Sequence, residues 1–139
     1  MTQSREHAAV NEDSDGPQPS GAISILGVPF DAGATYLRGA ALAPGRIREA
    51  LQSDSTNMWT EDGIDLGRPG TVEDAGDLAL SSESDLASAE IESAVRRIAQ
   101  RGKPLICLGG DHSITYPIVR GLHHRFDDLT ILHFDAHPV

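Results

Sequence analysis

The sequence predicts an α/β domain: a mainly parallel sheet covered by helices on both faces. Three observations carry that prediction. Short apolar runs alternate with helix-period segments in the order β, α, β, α, β, α, β, which is the pattern of parallel strands joined by crossover helices. Two of the apolar runs stop abruptly at polar clusters, Gly109-Gly110-Asp111-His112-Ser113 and Asp135-Ala136-His137. A long glycine-rich loop, "PFDAGATYLRGAALAPG", follows the first run, and long loops of this kind are often functional.

The elements follow in order. Residues 1–21 mix Gly, Pro, Ser and acids without periodicity and read as a disordered tail, leaving 22–139 as the ordered unit. Residues 22–28, "AISILGV", form the first strand. "PGRIREAL" reads as a short helix with Pro44 tolerated at its start. Residues 53–70 are irregular, with Asn57, Met58 and Trp59 unassigned, and a short strand is expected at 71–74. The clearest helix is 85–101, where Ile91, Ala94, Val95 and Ile98 recur at helical spacing. Ser82 and Asp85 resemble a capping box, acids lead and arginines trail, and Gly102 supplies a stop. Residues 104–108 form the next strand, 115–124 a helix that tolerates Pro117 only in its first turn, and 129–134 the last strand.

Composition bounds the function. The chain has 139 residues, enough for one domain with a real core. With 21 acidic against 11 basic residues, its formal net charge is −10. Such a chain repels nucleic acid and anionic membranes and tolerates a cationic substrate. The one cysteine, Cys107, lies in an apolar run, so a buried, inert thiol is expected. No apolar signal segment opens the chain and no run reaches membrane-spanning length, so a cytoplasmic location is expected.

The two polar clusters carry the chemistry. In open parallel sheets, ligands bind beyond the carboxyl ends of the strands, where both clusters fall. Strands lie about 4.8 Å apart, so neighbouring strand ends can aim side chains at one point. Asp135 and His137 are two residues apart and share a side of an extended backbone. With His112 they form a set of two imidazoles and one carboxylate, which suits Mn²⁺, Fe²⁺, Co²⁺ or Zn²⁺. Gly109 and Gly110 would let the backbone turn under the site, and Asp111 and Ser113 could orient the ligands. The rival reading makes 109–113 an anion cradle before a helix, against which Asp111 counts as a repelling carboxylate. His123 and His124 read as a solvated helix face, and Asp74 and Asp77 as loop-capping acids.

"GGDHSITYP" and "LHFDAHP" closely resemble two signature motifs of the ureohydrolase family, which contains arginases and agmatinases. "LGVPFDAGATYLRGAALAPGRIREAL" resembles the agmatinase-like members, and "EDAGDLAL" the strand element that comes next. The resemblance covers residues 22–137 and implies a three-layer α/β/α, arginase-like fold. It implies a centre of two Mn²⁺ ions and hydrolysis of a small cationic guanidinium substrate, agmatine first, to urea and an amine. Agmatine hydrolysis would place the protein in polyamine biosynthesis. Sister activities on arginine, guanidinobutyrate or formiminoglutamate stay open. Carried over by position, His112, Asp135 and His137 are the expected metal ligands, with Asp135 bridging; no catalytic residue beyond them is assigned. Two dications in such a site acidify a shared water. A homo-oligomer is expected of the full-length protein. One departure stands out: the family motif runs D-A-H-x-D, and its last Asp is Val139 here. The later motif S-x-D-x-D-x-x-D-P is absent. The expectation is therefore the amino-terminal half of a ureohydrolase, inactive on its own, or a non-catalytic remnant.

Overall fold

A computed structural model describes residues 23–135. Three parallel strands, β1 (Ile23–Val28), β2 (Val72–Asp77) and β3 (Leu105–Gly109), form one sheet in the order β2-β1-β3. Three helices, α1 (Ala43–Leu51), α2 (Ser84–Ala99) and α3 (Thr115–His123), connect and cover it. The chain moves from β1 outward to β2, then back across β1 to β3. Right-handed crossovers in opposite directions place α1 and α2 on opposite faces.

β1 is central because both of its neighbours pair along it. Ser24 to Val28 align with Leu105 to Gly109 on one side, and Ile23 to Ile25 align with Val72 to Asp74 on the other. Alternation puts Ser24, Leu26 and Val28 on one face, all buried. That face meets α2, whose Ala87, Ile91, Ala94, Val95 and Ile98 form the core stripe, and Ile118 and Leu122 of α3 join it. The periodicity seen in the sequence is this stripe. Each fully buried aliphatic here contributes about 1.5–3 kcal/mol. Cys107 packs against the same cluster, and burial pushes its thiol up to about 11, so it stays protonated and unreactive near neutrality. Among the described residues no helix is long and apolar enough to cross a membrane.

Several local expectations change. β2 runs on to Asp77, beyond the expected 71–74. Residues 53–70 contain a small hairpin in which Trp59 bridges Asp65 antiparallel, and Asn57 accepts from the Trp59 amide. The capping box at Ser82 and Asp85 does not form. Glu83 is the N-cap of α2 without a side-chain cap bond, and Ser81 Oγ accepts from the Glu83 amide instead. Gly102, at φ 71°, ends the turn after α2 as expected. Pro117 sits in the first turn of α3, where its missing N–H costs nothing.

The expected fourth strand at 129–134 is not a strand; these residues are irregular. Leu129, Ile131, Leu132 and Phe134 are all exposed, Phe134 to 92%. A strand buried on both faces needs a layer above and below it. Within the described residues this segment pairs with no strand, and its apolar side chains stay in solvent instead of meeting such a layer.

Candidate metal centre

β3 delivers the first cluster. Beyond Gly109 the chain bends through a 3₁₀ turn, His112–Ile114, and enters α3. Neither Gly109 nor Gly110 takes a positive φ, so the expected reason for two glycines was wrong. The reason is space: a Cβ on Gly110 would lie 1.7 Å from the Phe30 carbonyl oxygen, which accepts a hydrogen bond from the Asp111 amide. The loop after β1 therefore lies directly on the turn.

Asp111 is the N-cap of that turn. Its Oδ1 accepts from the Ser113 amide at 3.0 Å and from the Ser113 hydroxyl. The pair locks the turn that presents His112. It also disposes of the anion-cradle reading, because a carboxylate of the chain itself already occupies the helix-start amide. Asp31, in the preceding loop, plays a related part. It accepts from the amides of Gly39 and Ala41, and those bonds hold its carboxyl below the usual range.

His112 opens onto a cleft of about 600 Å³, lined among others by Gly33, Thr35, Asp111, Tyr116 and His133. Asp135 comes to meet it. His112 Nδ1 and Asp135 Oδ2 are 3.6 Å apart, and so are His133 Nε2 and the same Asp135 oxygen. One ligand atom of each of His112, His133 and Asp135 lies within 4.8 Å of the others. Two of the three sequence candidates, His112 and Asp135, are thus brought together. The third, His137, and Val139 lie outside the described residues. His133 was missed because "ILHF" reads as one apolar strand. The available signal was its position two residues before Asp135, which favours the same side of the backbone.

The remaining sequence candidates are accounted for elsewhere. His124 does not simply face solvent: its Nε2 lies 3.0 Å from Glu92 Oε1, tying α3 to α2. Asp74 and Asp77 do more than cap a loop. They grip Arg48 of α1, Asp74 with both oxygens at 2.6 and 2.8 Å.

The donor set fits a divalent metal in kind. Imidazole nitrogens and a carboxylate oxygen are the ligands borderline dications take. All three residues are exposed enough to admit an ion.

Comparison with known proteins identifies the family. Residues 21–138 match the Arginase family. Arginase 1, mitochondrial, of Oryza sativa subsp. indica is 39% identical over 123 residues, 82% of this chain and 36% of its own length. The agmatinase of Bacillus subtilis (strain 168) is 34% identical over 117 residues, 81% of this chain and 39% of its own. Among solved structures, the arginase from Medicago truncatula superposes with a TM-score of 0.74 at 36% identity, covering 85% of this chain and 40% of that one. A Trypanosoma cruzi formiminoglutamase determined with Mn²⁺ superposes at 0.64 and 28% identity, covering 76% of this chain and 36% of that one. The chain belongs to the arginase family, and its fold is the α/β fold of that family. It spans a little over a third of the length of these curated relatives.

Proposed function

We propose that this chain contributes the first metal-binding half of a ureohydrolase site, one that hydrolyses a guanidinium group to urea and an amine. The observation that carries the reading is the convergence of His112 and Asp135, 3.6 Å apart, at the mouth of the cleft beyond β3. His112 and Asp135, with His137, would hold Mn²⁺, the ion found with the formiminoglutamase relative. When bound, such an ion supplies Lewis acidity and a water acidic enough to serve near neutral pH.

The chain's own residues do the rest. Asp111 and Ser113 fix the direction of His112. The Asp135 carboxylate gives the cleft mouth a negative charge that favours a guanidinium cation. The hydroxyl of Thr35, with those of Thr115 and Tyr116, lines the cleft and can accept guanidinium or amine protons.

Agmatine was the substrate favoured by the sequence motifs. The higher identity of the plant arginase, 39% against 34% for the agmatinase, favours arginine as the second reading. The test is Mn²⁺ binding by the purified chain, followed by urea release from arginine and from agmatine once the chain is continued by the carboxyl-terminal part of an arginase-family relative. Turnover that disappears in His112→Ala and Asp135→Ala supports the reading. Turnover unaffected by both changes sinks it.

A further inference from the structure

We propose that Asp31 is a positioning residue for the ureohydrolase reaction: its carboxylate clasps the loop 31–41 into the shape that places Thr35 in the wall of the cleft. The inference rests on the ureohydrolase reading and extends it to a loop that supplies none of the proposed metal ligands.

The loop has little else to hold it. Residues 35–39 are all exposed, Tyr36 to 89% and Leu37 to 70%, so burial of apolar surface does not fix their course. Closing such a loop into one conformation costs entropy that other contacts must offset. Asp31, only 14% exposed, sits at the neck. Its Oδ2 accepts from the Gly39 amide at 2.6 Å and from the Ala41 amide at 3.3 Å, which draws the two ends of the loop together. Hydrogen bonds to an ionised acceptor are the stronger kind. The Asp31 carbonyl accepts from the Ala34 amide at 3.1 Å, and Arg38 folds back to donate to the Ala32 carbonyl at 3.2 Å. Gly39 presents its amide to Asp31 at φ 134°, a conformation that residues with a Cβ rarely adopt.

The base of the loop is seated on the turn that carries His112. A Cβ on Gly33 would lie 2.7 Å from Ser113 Oγ and 3.1 Å from Asp111 Oδ2, and the Phe30 carbonyl accepts from the Asp111 amide at 2.9 Å. Base and clasp together fix the short stretch between them, and Gly33, Ala34 and Thr35 line the cleft with His112 and Tyr116. A wall formed before the substrate arrives removes an ordering cost from binding. With the clasp open, only a fraction of the chains present that wall, and apparent affinity falls by the same fraction. Wall contacts away from the reacting atoms are made equally in the ground and transition states, so their loss shows in KM rather than kcat. A carboxylate that only stabilised the fold would lower the unfolding midpoint and leave KM alone.

The test uses the 139-residue chain continued by the carboxyl-terminal part of an arginase-family relative, with Mn²⁺ and whichever of agmatine and arginine the parent hydrolyses faster. Asp31→Ala should raise KM about tenfold or more and change kcat less than about threefold. Asp31→Asn, whose carboxamide oxygen can still accept both amides, should bring KM back to within about threefold of the parent. Gly39→Ala approaches the clasp from its other side. Its Cβ meets nothing within 4 Å, so only the backbone conformation is disturbed, and KM should rise as in Asp31→Ala. In the 139-residue chain itself, exchange of the Gly39 and Ala41 amide hydrogens should quicken about tenfold or more in Asp31→Ala, while the β1 amides keep their protection. That measurement separates loss of the clasp from loss of the fold. If the parent is active and neither Asp31→Ala nor Gly39→Ala raises KM, the inference is overturned and the ureohydrolase reading stands. Unchanged exchange at Gly39 and Ala41 overturns it in the same way. A parent that releases no urea from either substrate overturns the ureohydrolase reading and the inference with it.

Discussion

The carboxyl edge of the sheet has two corners, and they use charge in opposite ways. At the corner of β1 and β2, Arg48 reaches from α1 and is gripped by Asp74 and Asp77. Its side chain is only 18% exposed, and its donors are spent on two carboxylates. At the corner of β3, one Asp135 oxygen lies 3.6 Å from a nitrogen of each of His112 and His133, and the two histidines line the cleft. The first corner is a closed contact that ties α1 to β2. The second gathers two imidazoles and a carboxylate within 4.8 Å of one another, a set that could hold an ion. Opposite charges at a strand end are therefore poor evidence for a site by themselves. What distinguishes a site is a set of metal-ligating side chains that converge on one point at a cleft.

The sharpest break between the corners should appear in metal binding and catalysis. Asp135→Ala should cost about 100-fold or more in metal affinity, whereas Asp74→Ala should leave it unchanged. The 139-residue chain alone should release no measurable urea from arginine or agmatine in excess Mn²⁺. Its cluster has one carboxylate among the described residues. Two dications there would carry about +3 and repel a guanidinium cation. Urea production at the rate of a complete relative, or two tightly bound ions per chain, would show that this ligand count is wrong.

A second, smaller effect tests how the β3 corner is built. Gly110→Ala would drive a methyl group into the Phe30 carbonyl, 1.7 Å away, where the neighbour is backbone and cannot rotate aside. A loss of about 3 kcal/mol is expected, read from the denaturant midpoint, with weaker metal binding because the turn carrying His112 must shift. Gly45→Ala, on exposed α1 with nothing within 4 Å of its Cβ, should not destabilise the fold. Equal effects would show that the close approach of the two loops is not what fixes the turn.

The two corners were unequally legible in the sequence. β1, β3 and α2 could be read because an apolar run or a helical stripe needs only local pattern. The β3 corner showed through for the same reason: Asp111 and His112 interrupt an apolar run, where neither is a natural filler. The Arg48 contact could not be read, because its partners are 26 and 29 residues away and only the β1–α1–β2 crossover brings them together. The segment 129–134 failed in the opposite direction. Its apolar content is that of a strand, but strand formation depends on cover that its own residues do not provide. His133 was lost with it, absorbed into a strand that the structure does not form.

The smallest effect concerns the closed corner and acid. Hydrogen bonding to Arg48, more than any other influence, holds the Asp74 carboxyl below its usual value of 3.8, with help from the Gly76 amide and against partial desolvation. A carboxylate whose folded pKa is depressed stabilises the fold fully above its unfolded pKa. That stability is lost as pH falls through the folded value. The window for Asp74 is therefore below about pH 4, and neutral solution lies on the flat part of the curve. Because Asp74 is 44% exposed, solvent screens the pair, and the two-pronged Arg48 contact is worth about 0.5–1 kcal/mol. Asp74→Asn should lower stability by that amount at pH 7. Comparing urea midpoints of parent and variant from pH 7 down to pH 3, the gap should stay constant to about pH 4 and then narrow as the parent's Asp74 takes up its proton. A gap that widens on acidification would mean that Asp74 is held protonated in the fold, and that the β1–β2 corner is not the satisfied ion pair its distances describe.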